Sequence, residues 1–495
     1  MSRNHSDFWS SPLAASLVKS DEVKLPEMLL GYFIGPFGAL LSSGIFTSIL
    51  QNYFTDVLKL DLNFLTGLQL ISTIFIVASN LIVGQLIERT KALAGKARPW
   101  ILLSALTLSV ASVLMFIVPF EGTAKMVWIA IAYNLYYAVA YPIYNTANST
   151  LVPVSTRNSQ QRGALASFTN VAGLGVMGAG SMVFPILVSF ALKENQALWF
   201  VAMLAVAVFT ALTVLLQYKF TRERVTEERM GEGAANEAKK TGTASIGQQL
   251  RAVTSEKWWW IVMVFYLIFQ WAGAMKNGSM SYFCKWVMDN SFFGSADAWG
   301  ASQSLLGILG AVPMAIAAAF VVPLSNKFSK RLVTMVGMLV GVAGGVIAGF
   351  AGGNIIGVAI GVALKCLGSA PACYLILAML ADVIDHIEFK NHIRTDGLTM
   401  SIYSSIMVAG TPICNAIFSA VLGMAGYDQT AVVGQTLQSA AAQSAITGCY
   451  IWTETIAFAA CAALMILWTV EKKLPEEQEA IKRRSGNPKG GENPG

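Results

Sequence analysis

The chain has 495 residues, of which 55% are hydrophobic and only 13% are charged, and its mean hydropathy is +0.57. Because a soluble domain carries about 25% charged residues, this composition excludes an ordinary soluble protein and indicates a chain that lies in a membrane. The net charge of +6 does not indicate a nucleic-acid partner, because basic cytoplasmic loops raise the total charge of a membrane protein.

Twelve apolar runs follow one another along the chain, each long enough to cross a bilayer core of about 30 Å as a helix. They span 28–54, 62–86, 98–119, 125–150, 163–191, 196–217, 257–287, 300–324, 331–351, 354–384, 396–425 and 444–470. A helix satisfies its backbone groups within lipid, and the sequence lacks the short alternating segments of barrel strands. We therefore predict an all-α membrane protein with transmembrane helices 1 to 12.

Basic residues concentrate in the loops on one side of these helices. The short loops there carry eleven Lys and Arg residues, against three (Lys59, Lys125 and Lys193) on the other side. The positive-inside rule places the basic side and both termini in the cytoplasm. The predicted organisation is a cytoplasmic N-terminus (1–27), a six-helix bundle (28–217), a cytoplasmic linker (218–256), a second six-helix bundle (257–472) and a cytoplasmic tail (473–495).

Several motifs narrow the class. "VGQLIERTKALAGKARPW" at 83–100 resembles the loop between helices 2 and 3 of the major facilitator superfamily, and "VPLSNKFSKRLV" at 322–333 resembles a degraded second copy. "YFTDVL" at 53–58, "FTRERV" at 220–225 and "ADVIDHIEFKNHIRTDGL" at 381–398 are similar to the glycoside–pentoside–hexuronide:cation symporter family. This resemblance implies the major facilitator fold, with two six-helix bundles. It also implies cation-coupled uptake of a small sugar or glycoside across the cytoplasmic (inner) membrane by alternating access.

The chain departs from that family where the family holds its cation and its sugar. The two acidic positions on helix 2 fall on Ile76 and Asn80, and sugar-site positions fall on Leu40, Asn145 and Ser149. A carboxylate offsets the hydration that Na⁺ loses, and neither helix 2 residue supplies one. The coupling ion, Na⁺ or H⁺, therefore stays open. The alternatives are a sodium-independent facilitator or proton-coupled carrier for another small or amphipathic solute, and a non-transporting membrane sensor.

Polar side chains recur at helical spacing within four of the predicted helices. The candidates for substrate binding are Asn134, Tyr141, Asn145 and Asn148 on helix 4, Gln270, Trp271 and Asn277 on helix 7, and Ser404 and Thr411 on helix 11. The candidates for ion coupling on helix 2 are Gln69, Thr73 and Asn80. Amides, hydroxyls and aromatic rings suit a neutral polyol. The alternative is that these stripes form hydrogen bonds between helices.

Four of the charged residues within the spans are considered further, because a charge within a membrane is expensive and is normally paired or functional. Lys276 opens the stretch "KNGS", which predicts a break in helix 7 beside the substrate path, and Lys285 is expected to extend to the outer interface. Lys365 and Glu454 form a structural ion pair in one interpretation. In the other, Glu454 couples protons or Lys365 binds an anionic substrate.

Charged residues also gather at the predicted cytoplasmic ends of the helices. Glu88, Arg89 and Arg98 in one half, and Asp382, Asp385 and Arg394 in the other, predict a latch of ion pairs that holds the outward-facing state. The alternative is that these charges only orient the helices. The six cysteines and three histidines show no metal-ligand spacing. We therefore expect no metal, no cofactor and no enzymatic activity, and a monomer.

Overall fold

The computed structural model describes residues 15–90, 92, 94–156, 158–231, 246–391, 395–474, 476, 477, 479 and 480. Its long helices, in chain order, are α1 Leu25–Val57, α2 Leu62–Arg89, α3 Arg98–Leu114, α4 Gly122–Ser155, α5 Ser159–Leu187, α6 Gln196–Lys219, α7 Lys257–Trp286, α8 Trp299–Phe328, α9 Lys330–Phe350, α10 Ile355–Asn391, α11 Asp396–Met424 and α12 Ala440–Leu467. Eleven of them are long and apolar enough to cross a membrane. The twelfth, α3, has 17 residues, which is at the lower limit for a spanning helix.

Short polar loops separate these helices, and side-chain caps fix several of their ends. The Asp61 carboxylate accepts from the backbone N–H of Phe64 where α2 begins, and Asn195 caps the start of α6 in the same way. Ser329, with a positive φ of 87°, separates α8 from α9 and caps α9 at Leu332. These caps satisfy N–H groups that have no partner within the first turn of a helix.

Helices α1–α6 form the N-terminal half and α7–α12 the C-terminal half. Small residues allow close approach within each half. Between α9 and α10, a Cβ added to Gly344 would lie 2.6 Å from the carbonyl oxygen of Gly361, and one added to Gly337 would lie 2.6 Å from that of Gly368. The glycine-rich stretch of α9 therefore serves helix packing.

The two halves meet through α1 with α7, α2 with α11, and α5 with α8. We call the end where α1 begins and α12 ends the terminal end, and the opposite end the far end. Thr66 donates to the carbonyl oxygen of Ala416 at 3.3 Å, and Gly300 lies against the backbone of Pro185. Among the described residues, the hydrogen bonds and ion pairs between the halves lie in the far part of the helices. The halves are therefore closed against each other at the far end.

The segment between the halves is anchored on both. Arg224 makes a two-pronged ion pair with Glu27 at the start of α1, with N–O distances of 3.0 and 2.7 Å. Glu256, just before α7, pairs with Lys390 of α10 at 2.7 Å. Two short helices, Arg224–Gly231 and Ile246–Thr254, lie between these anchors.

Candidate functional site

A cavity of about 250 Å³ lies between the halves, among α1, α5, α7, α8, α10 and α12. Its polar lining comprises Thr47, Ser48, Ser181, Lys276, Asn277 and Gln303. Of the described residues that line it, Lys276 alone is charged. The cavity therefore offers hydroxyl, amide and ammonium groups between apolar walls, as small-molecule sites commonly do.

Three charged side chains meet at one edge of this cavity, two of them buried, and we call them the cavity cluster: Lys276, Lys365 and Glu454. The Glu454 carboxylate holds Lys276 Nζ at 3.2 Å through one oxygen and Lys365 Nζ at 2.6 Å through the other. The predicted ion pair between Lys365 and Glu454 is thus present, and Lys276 joins it. Counted from the far ends of α7 and α10, both lysines lie about 15 Å deep, near the middle of a bilayer core.

The members of the cavity cluster differ in exposure. The side chains of Lys365 and Glu454 are 3% and 5% exposed, whereas Lys276 is 21% exposed. Lys365 also donates to the carbonyl oxygen of Ile451 at 3.3 Å. Glu454 and Lys365 are therefore the buried members of the cluster, and Lys276 is the member exposed to the cavity.

Helix α7 is continuous through Lys276, so the prediction of a break at "KNGS" is wrong. The Ser279 hydroxyl donates a hydrogen bond to the carbonyl oxygen of Met275, one turn earlier, at 2.7 Å, which is compatible with an intact helix. Gly278 instead provides room for the side-chain oxygen of Asn415 on α11. Asn277 is exposed and lines the cavity.

The predicted binding face of helix 4 mostly joins helices. Asn148 accepts from Gln217 of α6 at 2.6 Å, and Tyr141 accepts from Ser43 of α1 at 3.3 Å. Asn134 donates to its own helix, at the carbonyl oxygen of Ala130. The amide oxygen of Asn148 is therefore engaged between helices, and Asn148 lies outside the lining of the cavity described above. Its role in substrate binding stays a prediction. Asn145 is half-buried and lies outside the lining of the cavity described above.

The polar stripe of helix 2 also has protein partners. Gln69 donates to the side chain of Gln51 at 2.6 Å, and Gln51 donates to Ser419 of α11 at 2.6 Å. Thr73 and Asn80 donate to carbonyl oxygens one turn earlier on α2. Gln69 thus connects α2, α1 and α11 across the halves.

The remaining candidates on α7 and α11 do not line the cavity described above. Trp271 donates from its indole N–H to the carbonyl oxygen of Ile406 at 3.4 Å and packs beside Gly410. It joins α7 to α11 in this conformation, and its role as a substrate contact stays a prediction. Gln270 and Thr411 are half-buried, and Ser404 is exposed.

A second buried charge group closes the far end, and we call it the far-end cluster: Thr55, Asp56, Tyr282, Lys285 and Tyr427. Lys285 pairs with Asp56 across the halves at 2.5 Å. Tyr427 donates to Asp56 at 2.9 Å, and the hydroxyls of Thr55 and Tyr282 lie 2.6 Å apart.

Lys285 is the second-last residue of α7, in agreement with its predicted position at a helix end. Its side chain does not extend outward, as expected from the sequence, but is only 8% exposed and pairs with Asp56. In the sequence, Asp56 stands out only as part of "YFTDVL". The signal that identifies it is a lone carboxylate at the end of a spanning helix.

At the terminal end, two members of the predicted latch, Arg98 and Asp382, bind partners in their own halves. Arg98 is buried, donates to the carbonyl oxygens of Ala94 and Tyr218, and lies over the Tyr218 ring. Asp382 pairs with Lys330 at 2.5 Å. In this conformation neither is available to the other half.

The other latch candidates have separate positions. Glu88 pairs with Lys96 at 3.5 Å, Arg89 is exposed, and Asp385 is half-buried in α10. Arg394 lies outside the described residues. The latch stays a prediction for another conformation.

Two of the family motifs, "GKARPW" at 95–100 and "FTRERV" at 220–225, contact each other at the terminal end. The Glu223 carboxylate of "FTRERV" accepts from the backbone N–H groups of Lys96, Ala97 and Arg98 of "GKARPW", at 2.8–2.9 Å. These donors open α3, where a carboxylate is also favoured by the helix dipole. The motifs therefore support the N-terminal half.

Comparison with known proteins agrees with this architecture. The isoprimeverose transporter of Lactiplantibacillus pentosus is 27% identical over 490 residues, which are 96% of this chain and 95% of that protein. The inner membrane symporter YicJ of Escherichia coli (strain K12) is 28% identical over 273 residues, 55% of this chain and 56% of that protein.

The fold has solved counterparts as well. A bacterial homologue of the human lysosomal transporter Spinster, in an inward-facing and unoccupied conformation, has a TM-score of 0.63 at 13% identity, with 92% of this chain and 99% of that chain covered. A family model described as MFS/sugar transport protein matches residues 31–472. The chain therefore belongs to this family and is a multi-pass membrane transporter, not an enzyme.

Proposed function

We propose that this protein carries a small sugar or glycoside across the cytoplasmic membrane through the central cavity, by alternating access. The observation that carries the proposal is the polar cavity between the two halves at mid-depth. The far end is closed above it by contacts between the halves. Rocking of one half against the other would expose such a cavity to either side in turn.

The proposed orientation places the terminal end in the cytoplasm. The excess of Lys and Arg in the short loops at that end supports it through the positive-inside rule. The relative named as an inner membrane symporter supports the membrane assignment, and the relative named for isoprimeverose supports a sugar or glycoside.

Cation coupling belongs to this proposal because a relative is named a symporter. One observation favours the sodium-independent alternative. At the positions where the resemblance places the cation carboxylates, Ile76 offers no side-chain oxygen, and Asn80 donates its amide to the backbone of Ile76 at 2.8 Å. A sodium ion there would meet at most one side-chain oxygen, whereas Na⁺, like other hard cations, prefers several.

The test is uptake of labelled isoprimeverose, lactose and methyl glucosides into proteoliposomes that contain the purified full chain. Each sugar is offered with an inward Na⁺ gradient, with an inward proton gradient, and with neither. Saturable uptake of any one of them supports the proposal. Acceleration only by protons, or by neither gradient, supports sodium independence, and acceleration by Na⁺ contradicts it. Failure of the whole panel would contradict the transport of sugars and glycosides.

A further inference from the structure

We propose that His386 is a pH-sensitive contact that holds the chain after α12 on the terminal end of α10 while its imidazole is protonated, and releases it when the proton is lost. Four side chains meet there, and we call them the tail clasp: His386 and Lys390 of α10, Glu256 just before α7, and Glu477 after α12. The tail clasp lies apart from the central cavity. In the orientation proposed above, it faces the cytoplasm.

The two nitrogens of the His386 ring face one carboxylate each. Nδ1 lies 2.8 Å from an oxygen of Glu477, and Nε2 lies 3.8 Å from an oxygen of Glu256. The side chains of His386, Glu477 and Glu256 are only 11%, 8% and 4% exposed. The ring is therefore enclosed between two carboxylates that come from different parts of the chain.

The protonated ring suits both carboxylates, and the neutral ring suits only one. A neutral imidazole has one N–H donor and one nitrogen that accepts, whereas an imidazolium donates from both nitrogens. An ionised carboxylate only accepts, so a neutral His386 turns a lone pair towards one of the two glutamates. Charge gives the same result. With His386 protonated, the tail clasp has two positive and two negative groups, and with His386 neutral it keeps a buried negative excess, which is costly.

The other charged side chains around His386 do not replace its proton. Lys390 is already paired with Glu256 at 2.7 Å. The remaining charged residues of the surrounding elements are bound elsewhere, exposed or acidic: Lys330 and Asp382, which pair with each other at 2.5 Å; Glu471, which accepts from the backbone N–H of Arg331 at 3.2 Å; the exposed Arg251 and Lys257; and the acidic Asp385 and Glu388 of α10.

The chain after α12 packs against the C-terminal half, and we call residues 468–474, 476 and 477 the tail segment. Its apolar residues Trp468, Val470 and Leu474 are buried in one cluster with Val253 of the short linker helix and Trp258 of α7. Glu477 follows Leu474 by three residues and carries the contact with His386. The tail segment is therefore held by apolar burial along its length and by a charged contact towards its end.

Loss of the proton on His386 removes the charge that holds Glu477. Histidine ordinarily changes its charge between pH 5 and 8. We therefore expect the tail segment to be docked at acidic pH and its docking to weaken as the pH rises. The contact of Glu256 with Lys390 does not depend on this proton, so the start of α7 stays anchored when the tail segment is released.

The experiment measures how fast a maleimide labels a thiol in the tail segment, in the purified full chain in detergent micelles at about pH 6 and about pH 8.5. The background lacks the native cysteines, and the test thiol is Leu474→Cys, at a buried position. Glu476→Cys, at an exposed position, is the reference and reports how pH affects a free thiol. We expect the ratio of the two rates, Leu474→Cys to Glu476→Cys, to rise by about tenfold at the higher pH, since a hydrogen bond to a charged group is worth about this factor or more.

Two variants test the role of the charge. His386→Gln removes the titrating group, so the ratio should be high at both pH values. His386→Arg keeps a positive charge over the whole range, so the ratio should stay low at both. His392→Gln is the matched control, because it removes the next histidine along the chain, and it should keep the wild-type response.

A wild-type ratio that is unchanged or falls at the higher pH would overturn the proposal. A rise that survives His386→Gln, or that is lost in His392→Gln, would overturn the role of His386. If His386→Gln does not fold, a wild-type rise that is absent in His386→Arg supports the proposal, and a rise that persists in His386→Arg contradicts it. The measurement involves no solute, so failure of sugar uptake would leave its outcome unaffected.

Discussion

The two buried charge clusters make an instructive comparison because both are built on α7, at Lys276 and Lys285, about 14 Å apart along the helix. The far-end cluster is balanced, one lysine against one carboxylate, and it joins the two halves. The cavity cluster is unbalanced and lies within the C-terminal half. The two members of a pair that joins the halves are within reach of each other only when the halves are closed at the far end, which we call the far-closed conformation. A cluster that lies within one half keeps its protein partners when the two halves move as rigid bodies.

The largest effect is expected from Glu454→Gln. It leaves two buried ammonium groups without their carboxylate, and loss of one partner of a buried ion pair costs about 3–5 kcal/mol. We expect the free energy of unfolding in mixed micelles to fall by this amount. The double variant Glu454→Gln/Lys365→Met should recover much of it, because one uncompensated charge is removed. If Glu454→Gln is as stable as the wild type, the cavity cluster is solvated, and the contrast with the far-end cluster does not hold.

A smaller effect, on conformation, is expected from Asp56→Asn. This change removes the counter-charge of Lys285 and should weaken the far-closed conformation by about 2 kcal/mol, or ~30-fold in its equilibrium. The measurement is disulfide formation between Leu62→Cys and Gly423→Cys, which face each other across the halves, in a background without the native cysteines. Exchange of the two charges, Asp56→Lys with Lys285→Asp, should restore part of the cross-linking rate.

The control for this experiment is Lys193→Gln. Lys193 also pairs across the halves, with Asp297 at 3.1 Å, but the two side chains are 59% and 42% exposed. An exposed pair contributes about 0–1 kcal/mol, so the cross-linking rate should change little. Equal effects of Asp56→Asn and Lys193→Gln would show that burial of the far-end cluster does not matter.

The smallest effect is expected from Asn148→Ala, which removes a neutral contact between α4 and α6. Hydrogen bonds between membrane helices average about 0.6 kcal/mol, so stability should fall by roughly that amount. The KM for a transported sugar should stay within about twofold, because Asn148 joins helices. A large rise in KM without loss of stability would return Asn148 to the substrate site.

The sequence predicts the fold well because hydropathy and length record each spanning helix. It also predicts the pairing of Lys365 with Glu454, since two opposite charges deep in a membrane have few other partners. It does not predict that Lys276 contacts Glu454, because the rotation of α7 about its axis decides whether this side chain faces Glu454 or lipid. Periodicity identified a polar face on helix 4, but the same spacing fits a cavity wall and a helix contact. The contact of Asn148 with Gln217 depends on how α6 packs, which no local pattern encodes.

The two anchors of the linker have a mechanical consequence. Arg224 is fixed to the start of α1, and Glu256 is fixed to the end of α10, so the connection between the halves is shorter than the polar segment between α6 and α7. Relative motion of the halves therefore does not pull directly on the end of α6 or the start of α7. The two ion pairs thus hold the chain beside each half, so that movement of the halves does not disturb the points at which the chain enters them.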